Sequence, residues 1–240
     1  LCFDYPEFKN VLRNISLTIS SNDQIAIVGK NGSGKSTLFK ILCGLYYTKR
    51  GEVLINDKPI EKYSIEEYRE RTSVLFQDFL KYEGSLRENI KLGDIRRDSS
   101  DDNINAALNK ANVDFLCQEE KYSLDRILGN WFDNGSQLSG GQWQKIALAR
   151  VYYKEADIYL LDEPSSALDA TAELKIFNSF FEVSKGKIAI YITHRVKIAK
   201  NATKIIVIDE GKIVGIGNHA QLIESCSVYN ELYKQEIKEY

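Results

Sequence analysis

Residues 29–37 read GKNGSGKST. From Gly29 to Ser36 they follow the spacing G-x-x-x-x-G-K-[ST], which suits a polyphosphate. Gly29, Gly32 and Gly34 permit tight turns in which successive N–H groups point at anionic oxygens, with Asn31 and Ser33 completing the loop. Lys35 is placed to reach the β- and γ-phosphates, Ser36 to ligate Mg2+, and Thr37 to bond near the α-phosphate. The competing reading is a glycine loop with a surface lysine. A second cluster is IYLLDEPSSALD at 158–169. Asp162 suits Mg2+ held through its water shell, and Glu163 can polarise an attacking water, while Pro164 fixes the turn. Alone, this pair is also compatible with an acidic helix cap. A third is GSQLSGGQWQKIALAR at 135–150. Gly140 and Gly141 are poor helix residues, yet with Ser139 they open one. A helix start with a hydroxyl donor makes a second anion site. Its plain alternative is a Ser-capped helix with Gln142, Gln144, Lys145 and Arg150 on a wet face and Ile146, Ala147 and Leu148 buried.

These groups need elements that hold them. Apolar runs predict strands at Gln24–Val28, Thr72–Leu75, Asp157–Leu161 and Ile188–Thr193. Lys204–Ile208 and Lys212–Ile216 predict a hairpin around Glu210-Gly211. The opening LCFDY, residues 12–19 and Gly51–Ile55 also read as strands, with Ile15, Leu17 and Ile19 alternating with polar residues. Helices are predicted from the glycine loop to about Leu42, over 141–154, over Ala170–Ser184, and as two closing helices within 219–238. Residues 85–137 differ. Ile104, Ala107, Leu108 and Ala111 have helical spacing, and Asp101 or Asp102 is the expected cap. The expected fold is α/β, a P-loop NTPase with a mostly parallel core sheet, an N-terminal antiparallel β subdomain and an inserted α-helical subdomain. The expected division is 1–84, 85–156 and 157–240.

With these residues in hand, essentially the whole chain resembles the ATP-binding cassette of ABC transporters. GKNGSGKST resembles Walker A, Gln77 in LFQD the Q-loop, LSGGQ at 138–142 the family signature, LLDEP Walker B, SALD at 166–169 the D-loop, and His194 in ITHR the switch histidine. The resemblance implies ATP and Mg2+ as ligands. It implies that Tyr5 in FDYP stacks on adenine, although packing under the first sheet is an alternative. It implies that Gln77 reaches Mg2+ or water and that its loop contacts a membrane domain, against a plain surface amide. It implies that Glu163 aligns water, that His194 bonds the γ-phosphate, and that Asp169 shapes a dimer interface. Ser139, Gly140, Gly141 and Gln142 would then face the nucleotide of a second, identical cassette. The histidine left over, His219, reads as structural. SLRENI at 85–90 and IIVIDEGKIVGIGNHAQLI resemble exporter-type cassettes, and WFDNGSQLSGGQWQK those of lantibiotic-type peptide exporters. One departure stands out: many exporters carry a short G-E-x-G segment before the signature, where this chain has GNWFDNG at 129–135. Trp131 and Phe132 there either pack in the helical lobe or contact a membrane domain.

The bulk composition agrees. A net charge of −2 offers no strong field for nucleic acid. No apolar run approaches a membrane span, and no signal peptide is visible. Cys2, Cys43, Cys117 and Cys226 are far apart, which argues against a metal knuckle or a disulfide scaffold. The expectation is a domain at the cytoplasmic face of the cell membrane, joined upstream to a transmembrane domain, because Leu1 already reads as part of a strand. A soluble ABC ATPase acting outside transport and a non-hydrolysing regulatory module are the alternatives. The first lacks its usual coiled coil or tandem cassette, and the second conflicts with the presence of Lys35, Glu163 and His194.

Overall fold

Strands buried on both faces are near-continuous apolar runs, and QIAIV, IYLLD and IAIYI are runs of that kind. In the computed structural model, which describes residues 1–113, 115, 123–131, 135–165 and 168–238, they form β1 (Gln24–Val28), β5 (Ile158–Asp162) and β6 (Ile188–Ile192). In each, the first residue is partly exposed and the other four are buried.

Two units make up the chain. The first holds Leu1–Thr72, Asp157–Glu163 and Gly186–Tyr240. Its strands lie in the order β5-β6-β1-β7-β8. β7 (Lys204–Asp209) is parallel to β1, and β8 (Lys212–Gly217) returns antiparallel through the expected turn at Glu210-Gly211. Two short strands, β2 (Leu54–Ile55) and β3 (Lys58–Pro59), form a small antiparallel sheet. Helices α1 (Lys35–Leu42), α2 (Ile65–Arg71), α7 (Val196–Ala199), α8 (His219–Ser225) and α9 (Ser227–Lys238) complete this unit.

Register decides what the sheet can do. Ile27 of β1 and Asp162 of β5 both pair with Ile192 of β6. The carboxyl ends of three adjacent parallel strands therefore stop at one level, where open α/β sheets bind ligands.

The second unit holds Ser73–Ala156 and Pro164–Lys185. It contains most of β4 (Thr72–Leu75) and the helices α3 (Leu86–Lys91), α4 (Asp101–Lys110), α5 (Gly140–Tyr153) and α6 (Ala170–Val183). Leu86 and Ile90 of α3 and Ile104 and Leu108 of α4 are buried four residues apart, and Ile146 and Leu148 of α5 are buried as well. The units do not follow the expected division by sequence order. The boundary falls after Thr72 because Ser73 Oγ donates to Val151 O of α5 at 3.0 Å. Residues 164–185 join the second unit, where Asn112 Nδ2 donates to Ser179 Oγ of α6 at 3.0 Å.

Four local expectations are corrected. Cys2 and Phe3 make isolated bridges to Arg50 and Leu12, not a strand over LCFDY. Residues 15–20 alternate buried and exposed as their pattern demands, but no ladder is assigned there, because pairing needs a neighbour and not only a period. Of Gly51–Ile55, only Leu54–Ile55 pairs. The cap of α4 is Ser100, not Asp101 or Asp102; Asp101 instead accepts from Arg87 Nη1 at 2.7 Å. Among the described residues no helix is long and apolar enough to cross a membrane. Cys2, Cys43 and Cys226 are free thiols, while Cys117 lies outside the described residues.

A stability contrast follows on α6. Phe180 is 0% exposed and Leu174 is 51% exposed. Phe180→Ala is expected to destabilise by about 3–5 kcal/mol, whereas Leu174→Ala should change stability by less than about 0.5 kcal/mol. Urea unfolding monitored by circular dichroism measures both.

Candidate functional site

The loop between β1 and α1 is built from backbone. Helix α1 begins at Lys35, and its cap residue Gly34 has φ 108° and no side-chain cap. The first-turn N–H donors thus have no capping side chain. Lys35 is 5% exposed, and its Nζ donates to Gly29 O at 2.9 Å and Lys30 O at 3.0 Å. Burial lowers its pKa, and the nearby Glu163 and Asp162 carboxylates oppose that shift. Ser33 is 4% exposed, and its Oγ has no hydrogen-bond partner among the described residues. A buried hydroxyl without a partner costs free energy unless a ligand satisfies it. Asn31, Gly32 and Ser36 are exposed, and Thr37 is buried. Tyr5 reaches this loop, its hydroxyl 3.3 Å from Thr37 Oγ1. Its ring stands edge-on to Phe3 at 5.0 Å and Tyr46 at 5.6 Å.

The acidic pair sits at the next strand ends. Asp162 closes β5 and is 7% exposed. Burial, with a smaller contribution from the Asp162 charge, raises the Cys43 thiol to about 12. Glu163 adopts φ 48°, a left-handed conformation that costs on the order of 1–3 kcal/mol for a non-glycine residue. Its N–H donates to Ile192 O at 3.2 Å, and Thr193 N–H donates to Ile27 O at 3.3 Å. These bonds tie the three strand ends together. They leave the Glu163 carboxylate against His194 Nε2, with the histidine side chain 43% and the glutamate 18% exposed.

Magnesium fits the oxygen donors here in a particular way. Ser36 and Asp162 offer hard oxygen donors, yet the described residues contain no group of three or more acidic, His or Cys side chains that could hold a metal ion. A protein with so few donors holds Mg2+ together with phosphate oxygens and water, which is the usual pattern for that ion.

One supporting feature escaped sequence reasoning. The turn between β7 and β8 buttresses the loop: Gly211 N–H donates to Ser33 O at 2.9 Å, and Arg13 N–H donates to Gly211 O at 2.7 Å. The Arg13 guanidinium also donates to Glu210 O. A Cβ on Gly211, at φ 75°, would lie 2.5 Å from Val11 O; one on Gly34 would lie 2.8 Å from Leu12 Cδ2. The Glu210-Gly211 turn was legible, but its contact 178 residues back along the chain, at Ser33, left no local signal.

The second unit carries the other group. Ser139 caps α5 in a reciprocal box: Gln142 N–H donates to Ser139 Oγ at 3.3 Å, and Ser139 N–H donates to Gln142 Oε1 at 2.8 Å. The glycines follow as the first two helical residues, and Gly140 is exposed. The helix-cap and anion-site readings thus use the same geometry. The wet face is corrected. Gln144 is 1% exposed, and Arg150 is held by Leu80 O and Asn89 Oδ1, both at 2.7 Å. Burial pushes the Arg150 pKa down to about 10. Lys145 is half-buried and donates to Asn112 O at 2.8 Å. Asp169 caps α6, accepting from the N–H groups of Thr171 and Ala172, and these bonds lower its pKa. Gln77 is exposed after β4. Trp131 is 85% exposed, so it does not pack in the helical lobe. Its N–H and that of Asn130 donate to Glu83 Oε2 at 2.6 and 2.8 Å. A carboxylate from another segment therefore holds the loop that lacks its own glutamate. Phe132, Ser166 and Ala167 lie outside the described residues.

Comparison with known proteins agrees with this geometry. The model of the ABC transporter family matches residues 12–166. The chain is 47% identical over 235 residues to the subtilin transport ATP-binding protein SpaT of Bacillus subtilis, covering 98% of this chain and 38% of that protein. It is 48% identical over 238 residues to the nisin transport ATP-binding protein NisT of Lactococcus lactis subsp. lactis, covering 98% and 40%. The chain thus spans about two fifths of the length of these relatives. A solved bacterial Atm1-family ABC exporter with ATP bound superposes with a TM-score of 0.89 at 28% identity, over 98% of this chain and 41% of that one.

The buttress generates a prediction. Gly211→Ala places a methyl group against Val11 O, so the turn must shift and release Ser33. Affinity for ATP is expected to fall about three- to tenfold, equivalent to about 0.7–1.4 kcal/mol. Titration with a fluorescent ATP analogue checks it, with Gly186→Ala as the control, since a Cβ there meets only Asn22 Oδ1 at 3.8 Å.

Proposed function

The chain belongs to the ABC transporter family, and from that premise we propose that it is the ATP-binding and ATP-hydrolysing domain of an exporter. The observation that carries this reading is the alignment of three strand ends, which gathers Lys35, Asp162, Glu163 and His194 on one unit. Phosphoryl transfer to water is largely positioning and charge stabilisation. Gly29, Asn31, Gly32, Ser33, Gly34, Lys35, Ser36 and Thr37 bind the triphosphate, and Tyr5 stacks on the adenine. Ser36 and Asp162 hold Mg2+, with Gln77 as a further oxygen donor; the ion supplies charge neutralisation at the phosphate oxygens. Glu163 orients the attacking water. His194, in contact with Glu163, bonds the γ-phosphate. Both side chains sit on backbone fixed by the Glu163–Ile192 and Thr193–Ile27 hydrogen bonds, which supports accurate placement.

Ser139, Gly140, Gly141 and Gln142 complete the nucleotide site of a second, identical chain, and Asp169 lies at the interface so formed. Nucleotide-dependent pairing then drives a transmembrane domain joined to this one at the cytoplasmic face of the membrane. Similarity to SpaT and NisT supports a lantibiotic-type peptide as cargo. Nucleic acid is not a partner on this reading.

Two measurements test it. Glu163→Gln is expected to keep ATP affinity while slowing hydrolysis by about 10²–10⁴-fold, the usual range for a general base. Turnover close to that of the parent chain removes Glu163 from this role. The solution mass of Glu163→Gln with ATP should then rise to that of a dimer across a concentration series. Adding Ser139→Arg should abolish the dimer and leave ATP binding intact. Equal dimerisation of both variants overturns the role of Ser139 in the facing site.

A further inference from the structure

His194 is separated by one residue from α7, a helix of four residues. So short a helix has no stability of its own, because nucleation is costly and its first N–H groups find no carbonyl within it. The side chain of its cap residue, Arg195, does not cap it. The fold supplies partners from elsewhere. Thr193 Oγ1 accepts from Arg195 N–H at 3.0 Å, and the Tyr191 hydroxyl donates to Ile198 O at 3.3 Å. A further partner is distant in sequence: Lys197 N–H donates to Glu236 Oε2 at 3.1 Å. Glu236 lies in the last stretch of α9, and α9 packs against both α7 and α8. The helix is anchored by Tyr229, which is 0% exposed and whose hydroxyl lies 2.9 Å from His219 Nδ1.

We propose that Glu236 is a positioning residue for His194, acting as an external cap on the short helix that fixes the backbone of the histidine. The chain of contacts runs from the buried Tyr229 through α9 to Glu236, then through Lys197 N–H to the start of α7 and to His194. A carboxylate at such a helix start is favourable because its oxygen accepts from an N–H group that has no carbonyl within the helix. Histidine packing gives the leftover His219 its part as well: it fixes Tyr229, and hence the helix that carries Glu236. The proposal rests on the hydrolytic role assigned to His194 above, but its structural half can be read without turnover.

The test uses the whole chain with Glu236→Ala and Glu236→Gln, the second keeping an oxygen acceptor. Amide hydrogen exchange at Lys197 should speed up about tenfold in Glu236→Ala, as expected for loss of a cap, and stay within about twofold in Glu236→Gln. The His194 ring resonances should shift in the alanine variant only. In ATP hydrolysis, Glu236→Ala should lower kcat about three- to tenfold with KM within about twofold, and Glu236→Gln should restore it. In a His194→Ala background the same change should have no further effect on kcat, because the two act as one unit. An equal loss in both backgrounds, or unchanged exchange at Lys197, overturns the proposal. If the parent chain hydrolyses no ATP, the functional reading fails, and exchange at Lys197 together with the His194 resonances still decides whether Glu236 holds the histidine.

Discussion

The parallel register of β5, β6 and β1 is the constraint on which the site depends. Parallel strands terminate at a common edge, and here Asp162, Ile192 and Ile27 share a level. Each strand delivers one chemical part there: a backbone loop and lysine after β1, two carboxylates at the end of β5, and a histidine after β6. A slip of one residue in any pairing would turn side chains to the opposite face. The buried β-branched residues that fix the register are therefore also what places Glu163 against His194.

Charge within this unit is arranged around one buried ammonium. Lys35 is taken out of water, which disfavours its charge, and is then held by two carbonyls with two carboxylates nearby. A single buried cation of this kind needs such compensation to remain charged. The site also carries stored backbone strain at Glu163. That conformation persists because the Ile192 carbonyl accepts its N–H, and because the sheet behind it does not yield. Around this rigid centre the supports come from the ends of the chain: the β7–β8 turn beneath the phosphate loop, and α9 beside the helix that follows His194.

How much was legible depended on how local the physics was. The strands at Gln24–Val28 and Thr72–Leu75 and the helix to Leu42 emerge with the bounds expected, since their periods and glycine punctuation are local. The placement of the glycine loop between β1 and α1 and of the acidic pair at the end of β5 was readable for the same reason. Residues 12–19 show where a period is insufficient. From Ile15 to Ile19 the less and more exposed positions alternate as expected, but strand identity also requires a partner edge, and sequence spacing does not say whether one is present. The wet face of α5 failed similarly. Gln144 and Arg150 look solvated by residue type, yet Gln144 is buried and Arg150 is half-buried against Leu80, Tyr82 and Asn89, which lie 60 or more residues earlier.

By itself, the sequence determined which groups are available: a glycine-rich loop with its lysine, a hydroxyl, two adjacent carboxylates, a histidine, and a serine-capped glycine helix start. Each is encoded within a dozen residues, because turns, caps and glycine conformations are local properties of the backbone. Only the tertiary structure decided what surrounds them. It placed Gly211 under Ser33, Glu83 beneath Trp131, and Glu236 at the start of the helix after His194. These contacts join segments distant along the chain through single hydrogen bonds to backbone groups. Any residue type offers such groups, so nothing in the local sequence marks which ones will meet.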